Sequence, residues 1–198
     1  MATTKKRYAL IIDLDRCIGC CGCEVSCKQE NGVAVDVVWN KVREEGPHVN
    51  ADAGRGVEHY FLPTVCQQCD EPQCVKVCPT GASYVREDGT VLVDREICIG
   101  CKYCMMACPY GVRSFNREMK VVEKCTLCVQ LQAVGEPPAC VKNCVAKARF
   151  FGDLGDKASE AAKALAAAGE ENAHSLPDVG NRPRTRYILH AKTATWRS

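Results

Sequence analysis

The chain has 198 residues and a formal net charge of +2; 17 residues are cysteine, and aromatic residues make up only 6%. The scattered basic residues argue against a nucleic-acid partner, and no apolar run reaches the roughly 18 residues of a direct membrane span. So few aromatic residues predict a thin hydrophobic core, with something other than side chains filling the interior.

The first predicted element is the strand-like stretch RYALIID, which follows a basic start. Its apolar run is interrupted by Asp13 and is shorter than the apolar region of about 7 to 15 residues in a secretion signal. We therefore expect a soluble chain without its own signal peptide.

Five cysteines follow in the stretch CIGCCGCEVSC, from Cys17 to Cys27. A disulfide framework is disfavoured because the cysteine total is odd, no signal is visible, and thiols two residues apart are better placed to share a metal. A zinc-scaffold interaction protein is a simpler metal alternative, since paired C-x2-C units are typical of zinc sites.

A later run favours iron over zinc. The sequence CIGCKYCMMACP has the spacing C-x2-C-x2-C-x3-C-P, which is typical of bacterial ferredoxins that hold 4Fe-4S clusters. Zinc knuckles explain neither the third closely spaced thiol nor the proline. Four such groups can be read along the chain: Cys17, Cys20, Cys23 and Cys27 in group one; Cys66, Cys69, Cys74 and Cys78 in group two; Cys98, Cys101, Cys104 and Cys108 in group three; Cys125, Cys128, Cys140 and Cys144 in group four.

Cys21 is left over, and the position equivalent to it in group three is Lys102. We interpret Cys21 as a bystander thiol, with a redox or alternative-ligand role as the other possibility.

An internal repeat supports the same grouping. The segment IIDLDRCIGCCGCEVSC aligns with LVDREICIGCKYCMMAC, and EPQCVKVC aligns with PPACVKNC, which indicates a duplicated two-group unit. Between groups two and three, Asp88-Gly89 lies between two alternating apolar runs and predicts a hairpin. We expect RYALIID to pair with ARFFGDL in a matching hairpin, and each cysteine run to lead into a short helix.

The remaining segments are less regular. The spacer at 28–65 is too long for a simple connection and suggests a partner-contacting loop, with a disordered insert as the alternative. The stretch DKASEAAKALAAAGEEN predicts a surface helix that ends near Gly169. We expect the tail after Leu176 to be extended and to pack along the partner or along the other module.

Several cations and glycines lie beside the cysteines in sequence. The cations either raise cluster potentials or are ordinary solvated side chains. The glycines let backbone amides approach sulfur, or serve turn geometry. These residues are Lys28, Lys76, Lys102, Lys124, Lys142 and Arg113, and Gly19, Gly22 and Gly100.

The motifs DLDRCIGC, CQQCDEPQCVKVCPTGA, CIGCKYCMMACPYGV, EKCTLC and LPDVGNRPRTRYIL together resemble the four-cluster iron-sulfur subunits of molybdopterin oxidoreductases related to dimethyl sulfoxide and polysulfide reductases. The resemblance implies an α+β fold of two ferredoxin-like modules, each with two 4Fe-4S clusters, plus loop insertions and an extended C-terminal tail. Residues 1–60 with 115–155, including an insert at 28–65, would form the first module. Residues 61–114 would form the second, and 156–198 the surface helix and tail.

The resemblance also implies the ligands of four 4Fe-4S clusters. Cluster 1 would take Cys17, Cys20, Cys23 and Cys144; cluster 2, Cys125, Cys128, Cys140 and Cys27; cluster 3, Cys66, Cys69, Cys74 and Cys108; cluster 4, Cys98, Cys101, Cys104 and Cys78. Cys101 stands where some relatives have a non-ligand and a 3Fe-4S centre, so four cubanes are expected.

The implied function is electron conduction between a large molybdopterin (Mo or W) catalytic subunit and a membrane anchor or a soluble redox partner. The chain itself would be non-catalytic, and no nucleophile triad or phosphate loop argues otherwise. Its location would be cytoplasmic, or periplasmic by co-export with a signal-bearing partner. The alternative is a polyferredoxin-type subunit of a hydrogenase or formate-linked complex, or a free electron carrier.

Overall fold

Short helices and strands alternate along the chain in a small α+β fold, as predicted. The structure is a computed structural model and describes residues 6–50 and 56–198; the basic start at 1–5 and positions 51–55 of the spacer lie outside the described residues. In chain order the elements are β1 (Tyr8–Asp13), α1 (Gly22–Asn31), β2 (Asn40–Asn50), β3 (Gly56–Val65), α2 (Gln73–Lys76), β4 (Ser83–Val85), β5 (Val91–Val93), α3 (Tyr103–Met106), β6 (Ser114–Asn116), β7 (Val121–Glu123), α4 (Val129–Gln132), α5 (Ala139–Lys142), β8 (Arg149–Asp153), α6 (Glu160–Ala168), β9 (Ala173–His174) and β10 (Arg186–Ile188).

Strands from distant parts of the chain form a four-stranded sheet in the order β8-β1-β10-β9. The predicted pairing of RYALIID with ARFFGDL is confirmed, since β1 runs antiparallel to β8 from Tyr8 opposite Asp153. The pair is part of a larger sheet, however, because β10 pairs in parallel with the other edge of β1. The centre of β1, residues 9–12, is apolar because both of its faces are covered: Leu10 and Ile12 pack in the main core, and Ile11 packs in a second core with α6.

Two small hairpins connect the later cysteine groups. The hairpin predicted at Asp88-Gly89 is confirmed: Tyr84 of β4 pairs with Leu92 of β5, and the Asp88 carboxylate accepts a hydrogen bond from the Thr90 amide at 2.9 Å. An equivalent hairpin of β6 and β7, which connects groups three and four, was not predicted. Its turn lacks the Asp-Gly signal, because the left-handed position is occupied by Lys120.

The spacer forms a long antiparallel ribbon of β2 and β3, with pairs from Asn40–Val65 to Asn50–Gly56. The prediction of a loop is therefore wrong for most of this segment. The alternation of buried Tyr60 and Leu62 with exposed His59 gives β3 the period of two that a half-buried strand requires.

The predicted helix is confirmed as α6. The Ser159 hydroxyl caps its first turn by accepting a hydrogen bond from the Ala162 amide at 3.2 Å, and Gly169 ends it. The helix lies at the surface with Ala161 and Ala168 buried against the sheet. In the part of the chain that the structure describes, no helix has the length and apolarity needed to cross a membrane.

The tail crosses the segment of cysteine group two before it enters the sheet. The Arg184 amide donates to the carbonyl of Gln67 at 3.0 Å, and the Asp70 amide donates to the carbonyl of Arg182 at 2.9 Å. The tail therefore packs along the segment that carries cysteine group two.

Candidate metal centres

A small cavity lies where group one meets the end of group four. The four cysteines predicted for cluster 1 line it together: Cys17, Cys20, Cys23 and Cys144. The first two lie in the loop before α1, Cys23 lies in its first turn, and Cys144 follows α5. Cys21 also lines this cavity, although its side chain is exposed.

A second small cavity lies between groups two and three. It is lined by the four cysteines predicted for cluster 4: Cys78, Cys98, Cys101 and Cys104. Three of these thiols come from one loop and the fourth from the preceding group, which is the ligand exchange of two-cluster ferredoxins.

The other two predicted sets also lie close together, at more buried positions. The Cys27 thiol interacts electrostatically with Cys140 and Cys128, and Cys125 interacts with Cys27 and Cys140. In the same way Cys69 interacts with the remaining predicted ligands of cluster 3, which are Cys66, Cys74 and Cys108.

The ligand loops of groups one and three have the same backbone geometry. Each has a left-handed glycine, Gly19 or Gly100, followed by a left-handed residue at the helix N-cap, Cys21 or Lys102. A Cβ on either glycine would collide, with the Phe61 ring at the first and with a backbone carbonyl at the second. Both positions thus require glycine for turn geometry and close packing. The equivalence of Cys21 and Lys102 is therefore confirmed. The position that Cys21 occupies in group one is occupied by a lysine in group three.

The buried thiols need a positive partner to ionise. Burial raises the pKa of Cys27 and of Cys69 to about 12, and it raises the pKa of Cys125 well above its ordinary value. A thiol in such a place becomes a thiolate ligand only when a metal supplies compensating charge. The donor set therefore fits an iron core.

The shape of the sites also suits a cluster better than a single ion. Zinc gathers its thiolates about 2.3 Å from one point, whereas a cubane spreads them over four corners. Within 6–50 and 56–198, no three Cys, His, Asp or Glu side chains converge on one ion position. The two cavities instead place four cysteines around a volume, which favours iron-sulfur clusters.

Amide and side-chain donors reach the cysteine sulfurs. The backbone amide of Ser83 donates to Cys78 Sγ at 3.3 Å, and that of Ala148 donates to Cys144 Sγ at 3.3 Å. Asn181 Nδ2 donates to Cys69 Sγ at 3.1 Å. Hydrogen bonds to sulfur stabilise the more negative, reduced state of a cluster and so raise its potential.

Sequence reasoning missed several buried polar residues beside the cysteines. It does not decide whether Arg113 and Lys124 are solvated, yet both are almost fully buried, as is Arg149. It also does not single out Asn181 within the tail, although this residue donates to the Tyr110 hydroxyl at 2.7 Å. The Asn-Arg-Pro-Arg run in the tail could have indicated buried polar residues. Its polar residues are unusual in a segment that ends in a buried strand.

Comparison with known proteins agrees with this class of site. Residues 57–154 match the family described as the 4Fe-4S dicluster domain. The fold and cysteine sites therefore define an iron-sulfur electron-transfer protein.

Proteins that are similar to this chain over most of its length identify the family within this class. The chain is 41% identical to the B subunit of tetrathionate reductase from Salmonella typhimurium, over 93% of this chain and 73% of the relative. It is 39% identical to the B subunit of sulfite dehydrogenase from Allochromatium vinosum, over 94% and 85%. It is 36% identical to the B component of anaerobic dimethyl sulfoxide reductase from Escherichia coli K12, over 94% and 98%. This protein therefore belongs to the family of iron-sulfur subunits of these oxidoreductases.

Proposed function

We propose that the chain conducts electrons through four 4Fe-4S clusters held in two ferredoxin-like modules. The ligand sets are those given above for clusters 1 to 4. The observation that carries the proposal is that two cavities are each lined by four cysteines in the combinations expected for clusters 1 and 4. Residues 1–60 with 115–155 would form the first module, 61–114 the second, and 156–198 the covering helix and tail.

The electrostatic interactions between ligand sets support a linear order of clusters. Cys23 of set 1 interacts with Cys140 of set 2. Cys125 of set 2 interacts with Cys66 of set 3. Cys104 of set 4 interacts with Cys74 of set 3. Since each set neighbours the next, electrons pass from cluster 1 through clusters 2 and 3 to cluster 4, or in the opposite direction.

The two terminal sets have the accessible edges. Cys20 and Cys101 are exposed, whereas Cys125 and Cys66 of the inner sets are buried. Beside the accessible thiols, Ile18 is 61% exposed and Ile99 is 65% exposed. An apolar side chain next to an accessible cluster suits a docked redox partner, so each end of the conductor would face a different partner.

The partner at one end would be a large molybdopterin (Mo or W) catalytic subunit. At the other would be a membrane anchor or a soluble redox protein. The names of the relatives include both reductases and a dehydrogenase, so the same type of subunit serves electron flow in either direction. Either cytoplasmic location or co-export with a signal-bearing partner is compatible with this role.

The ribbon of β2 and β3 is the other proposed partner contact. Val49 and Val57 are cross-strand neighbours near its tip and are 80% and 63% exposed. Two adjacent exposed valines on a projecting ribbon are more costly in water than in an interface.

Native mass spectrometry of the tagged chain, purified anaerobically from its own cell, tests the proposal. The expected result is a complex with a much larger molybdenum- or tungsten-containing subunit, and a mass increment of four cubanes on this chain. A complex with a hydrogenase, or a free monomer with four cubanes, would assign the chain to the polyferredoxin class. Fewer cubanes would contradict the ligand sets.

A further inference from the structure

Two buried arginines occupy the same sequence position in different cysteine groups. Arg113 lies five residues after Cys108, the last cysteine of group three, and Arg149 lies five residues after Cys144, the last of group four. Each has only 4% of its surface exposed. Arg113 directly precedes β6, and Arg149 begins β8.

Arg113 lies between the proposed ligands of clusters 3 and 4. Its Nη2 donates to Cys74 Sγ at 2.8 Å and to the Ser83 hydroxyl at 2.7 Å. Its charge also interacts with Cys66 of set 3 and with Cys104 of set 4. The guanidinium is therefore hydrogen-bonded to a thiol of set 3 and interacts electrostatically with a thiol of set 4.

Arg149 has the equivalent place between clusters 1 and 2. Its Nη2 donates to Asn40 Oδ1 at 3.0 Å. Its charge interacts most strongly with Cys140 of set 2 and Cys23 of set 1. The two arginines therefore have different hydrogen-bond partners, but each lies among the predicted ligands of two neighbouring clusters.

Neither guanidinium is neutralised by a carboxylate among the described residues. The Nη1 atom of each is buried and has no hydrogen-bond partner in that part of the chain. A buried charge without a counter-ion is strongly unfavourable. The cysteine thiolates are the anionic groups within reach, so the cost of burial is offset when the clusters are bound.

The same geometry has a redox consequence. Arg113 and Arg149 would keep their protons and their charge while a cluster bound beside them exchanged one electron with its neighbours. A fixed positive charge beside the sulfurs stabilises the reduced cluster, which carries one more negative charge. In a buried site this attraction is weakly screened.

We propose that Arg113 and Arg149 are paired potential-setting residues, Arg113 raising the reduction potentials of clusters 3 and 4 and Arg149 those of clusters 1 and 2. The inference rests on the proposed ligand sets. It assigns a role in the redox properties of the subunit to two residues that ligate no iron.

The test is an EPR-monitored redox titration of the anaerobically purified complex, with iron and sulfide counted first. We expect Arg113→Gln to lower the reduction equilibrium constants of clusters 3 and 4 by about tenfold or more, which is at least about 59 mV for a one-electron couple. Clusters 1 and 2 should be unaffected. Arg149→Gln should lower the reduction equilibrium constants of clusters 1 and 2 and leave those of clusters 3 and 4 unchanged. The charge-matched control is Arg117→Gln, which removes an exposed arginine four residues from Arg113 and should change no potential.

Lysine variants separate charge from packing. Arg113→Lys and Arg149→Lys keep the charge and should restore most of the lost potential. If a glutamine variant loses its two neighbouring clusters, restoration of those clusters by lysine supports the proposal, and failure to restore them overturns it. Four cubanes with unchanged potentials in the glutamine variants would overturn this inference alone. Fewer than four cubanes in the unmodified chain would overturn the proposed function as well.

Discussion

The sheet region and the hairpin region of this molecule are stabilised in different ways. The sheet region, formed by β1, β8, β9, β10 and α6, contains fully buried Leu10, Ile11 and Ile12. The hairpin region, formed by β4 to β7 with cysteine groups two and three, has strands of only three residues. Its interior includes the charged side chains of Arg113 and Lys124.

The difference shows which part of the fold depends on metal. Apolar burial stabilises the sheet region at about 25 cal/mol per Å², without any cofactor. In the hairpin region Lys124 donates to the carbonyls of Val91 and Cys125, and hydrogen bonds that involve a charged group contribute only about 1.5 to 3 kcal/mol each. Cluster ligation must therefore supply most of the stability there.

Removal of iron should have the largest effect. Because ligand binding is folding free energy in small metal domains, on the order of 10 kcal/mol per structural metal site, we expect the apo chain to be largely unfolded. Hydrogen exchange should show complete loss of protection in β4 and β5, with residual protection confined to β1 and β8. A cooperative, near-native circular dichroism spectrum after anaerobic chelation would contradict this prediction.

Truncation of the sheet core should have the next largest effect. Ile11 is fully buried in the second core, between β1 and α6, so Ile11→Ala should destabilise the holo chain by about 2 to 5 kcal/mol. Chemical denaturation monitored in the far ultraviolet measures the change, and cluster potentials should be unaffected. The matched control is Val35→Ala, at a side chain that is 96% exposed, where a change of less than about 0.5 kcal/mol is expected.

The contact between tail and hairpin region offers a smaller, local test. Asn181→Leu removes the donor to Cys69 Sγ, a hydrogen bond to a charged group that is worth about 1.5 to 3 kcal/mol. We expect a lower potential for cluster 3 alone, by roughly tenfold in its reduction equilibrium constant, in an EPR-monitored titration.

Tyr110→Phe is the control for this variant, since it removes the second partner of Asn181 but leaves the donor to sulfur. A shift as large as that of Asn181→Leu would show that packing of the tail, and not the N–H donor, sets the potential.

The two regions also differ in how well the sequence predicted them. The hairpin at Asp88-Gly89 and the cysteine groups were predictable because their signals are local. The parallel pairing of β10 with β1 was not, since Arg186 pairs with Ile11 across most of the chain. The burial of Arg113 and Arg149 was not predictable either. A charged side chain is expected to be exposed to solvent unless the thiols that surround it in the fold are known. The combinations of cysteines expected from family resemblance remain predictions, supported by the cavities.

The smallest predicted effect concerns the link between the spacer ribbon and the end of the tail. Burial of Glu58 disfavours its ionised form, but hydrogen bonds from Asn50, Thr195 and Arg197 outweigh this and lower its pKa to about 2, from an ordinary value of 4.5. Because the folded pKa is the lower one, the stabilisation is complete above about pH 4.5 and is lost as the pH falls toward 2.

Glu58→Gln should remove this stabilisation at neutral pH while leaving the clusters intact. At one fixed neutral pH, we expect faster hydrogen exchange in residues 190–198 of the variant than of the unmodified chain, with unchanged exchange in β1. Glu44→Gln, at an exposed carboxylate on the same ribbon that pairs with His59, is the control and should leave tail exchange unchanged. Equal exchange in both variants would show that β10, and not the Glu58 contact, holds the last residues in place.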